Sequence, residues 1–188
     1  MCAPALVLVD FQRAFVEPGF HTSLTDAPAA WLRAESLLAA FEDARLPTVV
    51  TRHAHPDPPR GRGMARWWKT FLLESSPESE LCDPRLASAD LCLTKEHYSA
   101  FLHTGLSSWL RERGVETVVI AGVMTHICVD STARDAFQLG FDVVVVSDAC
   151  ASKHRELHNA SLLTLSHAVA RVASSPDVIA ALAAGGRC

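Results

Sequence analysis

The chain has 188 residues, of which 49% are hydrophobic and 20% are charged, and its formal net charge at pH 7 is −4. This length predicts one domain, residues 1–188, that can bury a core of its own. No run of lysine or arginine indicates a nucleic-acid-binding surface. No stretch approaches the roughly 18 consecutive apolar residues of a membrane-spanning helix, and the N-terminus lacks the basic region of a signal peptide. We therefore expect a cytoplasmic protein that binds neither nucleic acid nor membrane.

The six cysteines are scattered along the chain, and none forms a CxxC pair. Their spacing argues against a zinc ribbon and against a thioredoxin-like redox motif. We expect most of them to be reduced thiols, several of which fill the core. This interpretation covers Cys2, Cys82, Cys92, Cys150 and Cys188. Cys128 differs from the others because it lies where a strand-like run turns into a helical pattern.

Short apolar runs alternate with helical patterns along the whole chain. In chain order, the first half predicts a strand at 5–10, a helix at about 26–44, a strand at 47–53, a loop at 55–63, a short helix at 65–74 and a strand at 89–95. The second half predicts a helix between Thr104 and Gly114, a strand at 117–121, a helix at 128–139, a strand at 141–149, a helix at 155–167, a strand at 168–174 and a last helix with Ser175 as N-cap and Pro176 as its first residue.

These runs are apolar on both faces, and helices separate them, which indicates a parallel sheet covered on both sides. We therefore predict an α/β fold, a three-layer doubly wound (Rossmann-like) domain with a mostly parallel six-stranded sheet. The fold alone does not identify a reaction. It does direct attention to the carboxyl ends of the strands, where open α/β sheets bind their ligands.

Three chemically distinct side chains follow three of the predicted strands. Asp10 ends the first strand, Lys95 ends the third, and Cys128 follows the fourth after a short turn. Because the carboxyl ends of parallel strands lie along one edge of a sheet, an acid, a base and a thiol can meet there. The residue types alone also fit a cysteine that only packs, an aspartate that ends a turn and a solvated lysine.

The three side chains would form a coherent catalytic group. Cys128 is expected at a helix N-terminus, where free N–H groups and the helix dipole favour the thiolate, and Lys95 would lower its pKa further. Asp10 can take the thiol proton and pass it to a leaving amine. Backbone N–H groups before the helix can hold the oxyanion of an attacked carbonyl.

Three separated segments resemble the isochorismatase-like cysteine hydrolase superfamily: LVLVDFQRAF (6–15), LTKEHYSAF (93–101) and AGVMTHICVDSTARDAFQLGFDVVVVSDACAS (121–152). The resemblance implies a catalytic triad, which falls on Asp10, Lys95 and Cys128. It also implies a cis peptide bond that joins Val123 to Met124. The N–H groups of Met124 and Cys128 would then form the oxyanion hole.

The branches of this superfamily cleave different bonds. RWWKTFLLESSPESEL (66–81) and KEHYSAFLHTGL (95–106) are similar to the true isochorismatases, which cleave a vinyl ether and typically carry glycine at the position of Cys128. Protonating the carbon of a vinyl ether needs no thiol, whereas an amide or ureide carbonyl benefits from one. The cysteine therefore favours C–N hydrolysis of a small amide or ureide through a thioester. The alternatives are a vinyl-ether hydrolase that releases pyruvate with Asp10 as acid, and a binding protein that retains only the fold.

Nicotinamidases, another branch, resemble this chain less. They carry an Asp-x-His pair after the second strand, and a further histidine, that bind a metal. In this chain Thr51 takes the position of that aspartate. His53 and His55 without a clear third ligand make a poor structural metal site. We therefore expect neither a metal nor a cofactor.

Residues around the strand ends are candidates for contacts with a small-molecule substrate. Phe11 follows Asp10 directly, His53 ends the second strand and Tyr98 follows the third. Arg62 lies in the loop HPDPPRGRG and could bind a substrate carboxylate bidentately, although the loop could equally be a solvated one. We interpret Thr125 and His126 as residues that support the turn before Cys128. The resemblance also implies assembly into a homodimer or homotetramer.

Overall fold

The computed structural model describes residues 3–59, 67–68 and 70–185. All six predicted strands form, and they make one sheet in the order β3-β2-β1-β4-β5-β6 with every pair parallel. The predicted doubly wound α/β fold is confirmed, and the sheet is wholly rather than mostly parallel. The strands are β1 (Pro4–Val9), β2 (Thr48–His53), β3 (Leu91–Lys95), β4 (Thr117–Val123), β5 (Asp142–Ala151) and β6 (Arg171–Ala173).

Six α-helices cover the two faces of the sheet in the described part of the chain. They are α1 (Arg13–Val16), α2 (Ala27–Asp43), α3 (Leu106–Glu112), α4 (Asp130–Gln138), α5 (Arg155–Ala168) and α6 (Ser175–Ala183). Short 3₁₀ turns at Pro77–Ser79 and Pro84–Ser88 connect β2 to β3. None of the helices in the described residues is long and apolar enough to cross a membrane.

Strand β1 shows why the sheet is covered on both sides. All six of its residues are buried, and successive side chains point to opposite faces. Leu6 and Leu8 join one apolar cluster, which contains residues of α2 and α6, whereas Val7 and Val9 join a second cluster with residues of α3, α4 and α5. A strand buried by both clusters needs an apolar residue at every position, which is the pattern of ALVLV.

Gly122 lets β4 approach β1 closely at the edge where both strands end. Its φ is +143°, and a Cβ at this position would lie 2.2 Å from the carbonyl oxygen of Val9. The register between β4 and β5 also shifts between Ile120 and Gly122. A side chain at residue 122 would push the two strands apart, so glycine sets the spacing between Asp10 and the turn that carries Met124.

The predicted start of the last helix and the second half of one predicted short helix were wrong. The hydroxyl of Ser174, not that of Ser175, caps α6 by accepting from the N–H of Asp177 at 3.4 Å. The short helix predicted at 65–74 is not formed at 70–74, because Leu73 instead makes an isolated parallel bridge to His55. Residues 65, 66 and 69 of that prediction lie outside the described residues.

Candidate active site

Asp10 and Lys95 form a buried ion pair at the carboxyl ends of β1 and β3. Lys95 Nζ donates to Asp10 Oδ2 at 2.7 Å, and both side chains are at most 1% exposed. The Thr51 hydroxyl donates to Asp10 Oδ1 at 2.7 Å, and Lys95 Nζ also donates to the carbonyl oxygen of His97 at 3.0 Å. Both carboxylate oxygens therefore have donors, as a buried charge requires.

The backbone of Asp10 and the protonation of Lys95 are also distinctive. Asp10 has φ +55°, in the left-handed region that a residue other than glycine adopts only at a cost. Burial lowers the pKa of Lys95, but the charge and hydrogen bond of Asp10, together with a contribution from Cys128, outweigh burial and leave that pKa above its usual range. Lys95 is therefore a fixed cation beside the carboxylate.

A π-helical turn, Thr125–Val129, connects β4 to α4 and carries Cys128. The peptide bond between Val123 and Met124 is cis, as the resemblance implies. The Met124 carbonyl accepts from the N–H groups of Ile127 at 3.0 Å and Val129 at 3.3 Å. It does not accept from the N–H of Cys128, which lies between these two residues in the chain. Within the described residues the N–H of Met124 meets no backbone acceptor. Single π turns of this kind often occur at functional sites.

Cys128 lies in the first turn of this helical segment and is 7% exposed. Burial raises the pKa of its thiol to about 12; the charge of Lys95 lowers that pKa, and the charge of Asp10 raises it. The prediction of a depressed thiol pKa was therefore wrong, because loss of hydration outweighs the lysine. The thiol needs a base to lose its proton at neutral pH, and Asp10 is close enough to act on its titration.

A cavity of about 480 Å³ opens in front of Cys128, a size typical of small-molecule sites. Its walls include the aromatic side chains Phe15, Trp67, Trp68, Phe71 and Tyr98. The indole N–H of Trp68 donates to the hydroxyl of Tyr98 at 2.7 Å, which joins two of these walls. The titratable residues that line it are Cys128, Tyr98, four histidines and Lys153, and no aspartate or glutamate lines the part that the described residues form.

Two of the expected substrate contacts, His53 and Tyr98, line this cavity. Phe11 does not: it is fully buried and packs against Trp31, with ring centroids 5.3 Å apart and the rings tilted by 58°. The reason is that the Phe11 carbonyl accepts from the N–H of Cys82 at 2.9 Å, which holds this segment beneath the loop before β3. Arg62 lies outside the described residues.

His53 and His55 form a neutral imidazole pair at the side of the cavity. Their Nε2 atoms are 3.2 Å apart, and the rings meet edge to face. Burial, together with the charge of Lys95, lowers the pKa of His53 to about 4, and burial also lowers the pKa of His55. Across residues 3–59, 67–68 and 70–185, no three His, Cys, Asp or Glu side chains cluster as metal ligands would.

Gln12 supports this pair and was not found from the sequence. Its amide oxygen accepts from the N–H of His53 at 2.8 Å, and its Nε2 donates to the carbonyl oxygens of His53 at 2.9 Å and Ser79 at 2.7 Å. The only signal in the sequence was a glutamine two residues after the aspartate that ends the first strand. Thr51 could have been found by the strand-end rule, since it lies near the end of β2.

The family model described as Isochorismatase domain matches residues 4–177. The chain is 30% identical over 182 residues to maleamate amidohydrolase of Pseudomonas putida, a match that covers 94% of this chain and 85% of that protein. It is 32% identical over 188 residues to ureidoacrylate amidohydrolase of Methylobacterium radiotolerans, covering 85% and 72%. Among solved structures, a cysteine hydrolase from Pseudomonas syringae pv. phaseolicola matches with a TM-score of 0.89 and 25% identity over 97% of this chain and 93% of that one. The chain therefore belongs to the isochorismatase family and is a hydrolase.

Proposed function

We propose that the protein is a cysteine-dependent amidohydrolase that cleaves a C–N bond of a small amide or ureide. The observation that carries the proposal is the position of Cys128, which lines the cavity beside the buried pair of Asp10 and Lys95. The relatives in Pseudomonas putida and Methylobacterium radiotolerans are named as amidohydrolases, which supports the same class of reaction.

The first half of the reaction forms a thioester. Asp10 takes the proton of the Cys128 thiol while the sulfur attacks the carbonyl carbon, and Lys95 stabilises the charges around that transfer. The high thiol pKa fits a resting thiol that is deprotonated only as it attacks. The N–H groups of Met124 and Cys128 hold the oxyanion: the first has no backbone acceptor among the described residues, and the Met124 carbonyl does not accept from the second. The C–N bond then breaks, and Asp10 gives its proton to the departing ammonia or amine.

The second half hydrolyses the thioester. Asp10 takes a proton from a water molecule while the oxygen of that water attacks the thioester carbon. The same two N–H groups hold the second oxyanion. The C–S bond breaks, the carboxylic acid product leaves, and Asp10 returns the proton to Cys128. Because Lys95 and Thr51 keep both carboxylate oxygens in place, Asp10 needs no rearrangement between its two roles.

The test compares wild type with Cys128→Ala and, as a matched control, Cys150→Ala. Ammonia release from small amides and ureides and pyruvate release from isochorismate are measured for each. We expect ammonia release that Cys128→Ala abolishes and Cys150→Ala retains, with circular dichroism showing that both variants fold. Pyruvate release that survives in Cys128→Ala would instead support the vinyl-ether hydrolase with Asp10 as acid.

A further inference from the structure

One wall of the cavity offers hydrogen-bond donors that the proposed reaction does not use. We call it the donor wall; it consists of His126, Ser152 and Lys153. His126 lies on the π turn two residues before Cys128, and Ser152 and Lys153 directly follow β5. His126 and Lys153 both line the cavity. The turn that holds the thiol therefore also holds a second polar group in the same space.

The hydrogen bonds of Ser152 fix the tautomer of His126. The backbone N–H of His126 donates to the Ser152 hydroxyl oxygen at 3.4 Å, and that oxygen lies 2.9 Å from Nδ1 of His126. Ser152 is buried, and within the described residues the only acceptor near its hydroxyl is Nδ1 of His126. A serine that donates to Nδ1 leaves the proton of the neutral ring on Nε2. Burial lowers the pKa of His126, so the ring stays neutral and acts as an N–H donor.

Lys153 supplies a positive charge to the same wall. Its Nζ donates to the carbonyl oxygens of Ser23 at 3.1 Å and His21 at 3.4 Å, which fixes the side chain and leaves its third hydrogen available. No carboxylate of the described residues lies within ion-pair distance of this Nζ. The lysine is therefore positioned but not neutralised, in a cavity whose described lining contains no acid.

We infer that the donor wall binds a carboxylate of the substrate, with one oxygen accepting from His126 Nε2 and the charge paired with Lys153. The inference rests on the proposed function and narrows it: the substrates are amides or ureides that also carry a carboxylate a few atoms from the scissile carbonyl. A negatively charged group suits this wall because a charge-assisted hydrogen bond is stronger than a neutral one. Lys153 is exposed, so solvent screens part of its attraction, whereas His126 is partly buried. His126 thus binds substrate in addition to supporting the turn.

The experiment uses pairs of compounds that differ only in the carboxylate. Succinamate is compared with 4-methylpentanamide, and N-carbamoylglycine with isobutylurea, because an isopropyl group replaces the carboxylate at nearly the same size. Ammonia release gives kcat/KM for the wild type. Calorimetric binding to Cys128→Ala measures recognition separately from chemistry. We expect at least one acid to be preferred over its apolar partner by about 100-fold or more in both measurements.

Substitutions locate the preference. Lys153→Met should reduce the ratio of acid to apolar partner by at least about tenfold, mainly through KM, and Lys153→Arg should restore part of it. A general loss of structure would lower both members of a pair and leave the ratio unchanged. Arg155→Gln is the matched control, because it removes a positive charge from the exposed start of α5 without touching the cavity lining; its ratio should stay as in wild type.

The outcomes separate this inference from the proposed function. Acid-selective binding to Cys128→Ala without any ammonia release by wild type would support the donor wall and contradict the amidohydrolase. Equal kcat/KM for acid and apolar partner, lost in Cys128→Ala, would support the amidohydrolase and overturn the donor wall. Failure of both acids to bind Cys128→Ala at millimolar concentration, or a ratio that Lys153→Met leaves unchanged, would also overturn it.

Discussion

Two buried cysteines at the same edge of the sheet differ in what surrounds them. Burial raises the pKa of Cys128 and of Cys150 alike to about 12. Cys150 lies inside β5. Besides burial, two groups act on the pKa of its thiol: a backbone hydrogen bond with Gly122 lowers it, and the carboxylate of Asp148 raises it. Cys128 faces a cavity and the buried ion pair instead. Burial and thiol pKa therefore do not distinguish a nucleophile from a core thiol; a nearby base, a cation and access for substrate do.

The largest effect should come from removing the base beside Cys128. Asp10→Asn should lower kcat/KM by about 1,000-fold or more, and it should destabilise the fold by about 3–5 kcal/mol because Lys95 is left as a buried charge without its partner. Ammonia assays and urea unfolding measure the two losses.

The matched change on the Cys150 side is Asp148→Asn. Asp148 accepts from the N–H and the hydroxyl of Ser175, both at 2.7 Å. Losing part of this cap should cost about 1 kcal/mol of stability and leave turnover near wild type. Comparable losses of activity in the two variants would break the distinction between the two regions.

Strand β4, which leads into the turn that carries Cys128, should tolerate no side chain at Gly122. Gly122→Ala should destabilise the protein by about 3 kcal/mol or more, because its Cβ would lie 2.2 Å from the Val9 carbonyl oxygen. Gly140→Ala is the control: φ is also positive there, at +86°, but no atom lies within 4 Å of the added Cβ, so the cost should be about 1 kcal/mol. Urea unfolding measures the loss of stability in both variants. Equal losses would contradict the close approach of Gly122 to the Val9 carbonyl oxygen.

Acid should weaken the side of the molecule that holds Cys128. The pKa of His53 is about 4 in the folded protein, below its ordinary value of 6.5. Between these pH values His53 is protonated in the unfolded chain but neutral in the folded protein. Stability is therefore complete above pH 6.5 and falls by about 1–3 kcal/mol as the pH drops to 4.

The histidine variants assign that loss. Urea unfolding at pH 7 and pH 4.5 should show a smaller pH dependence in His53→Gln than in wild type. His167→Gln, at an exposed position in α5, should keep the wild-type dependence. An unchanged dependence in His53→Gln would place the acid sensitivity elsewhere.

The smallest effect concerns direct alkylation. At pH 8 iodoacetamide should modify Cys128 at least about tenfold faster than Cys150, because only Cys128 lines the cavity and has a base beside it. Both rates should rise with pH, since both thiols remain protonated well above neutrality. Peptide mass spectrometry reads both sites in one sample, and equal rates would mean that the cavity gives the thiol no advantage.

Much of the fold and of the arrangement of the candidate site could be predicted because the signals are local. Apolar runs such as ALVLV identify strands that are buried on both faces, and the rule that parallel strands end at one edge brings Asp10 and Lys95 together. The position of Cys128 followed from the same rule, and the cis bond after Val123 came from the resemblance. These features depend on short stretches of chain and on one rule of sheet geometry.

The features that could not be predicted depend on contacts between distant segments. The loop before β3 turns Phe11 into the core, Gln12 reaches across to His53, and burial reverses the expected shift in the pKa of Cys128. No periodicity in the sequence encodes such contacts. The homodimer or homotetramer stays a prediction, which light scattering on the purified protein checks.

The strand order has a consequence for how the protein is made. Of the six strands, β1 is synthesised first, and it is a central strand whose two neighbours are β2 and β4. Its partner β4 begins only at Thr117, so at about 5–20 residues per second the nascent chain exposes one apolar edge of β1, with unpaired N–H and C=O groups, for several seconds or more. Asp10 and Cys128 likewise cannot meet until most of the chain has emerged. Under the proposed function, the thiol and its base therefore come together only late in synthesis, after a period in which the unpaired edge of β1 is open to pairing with other chains.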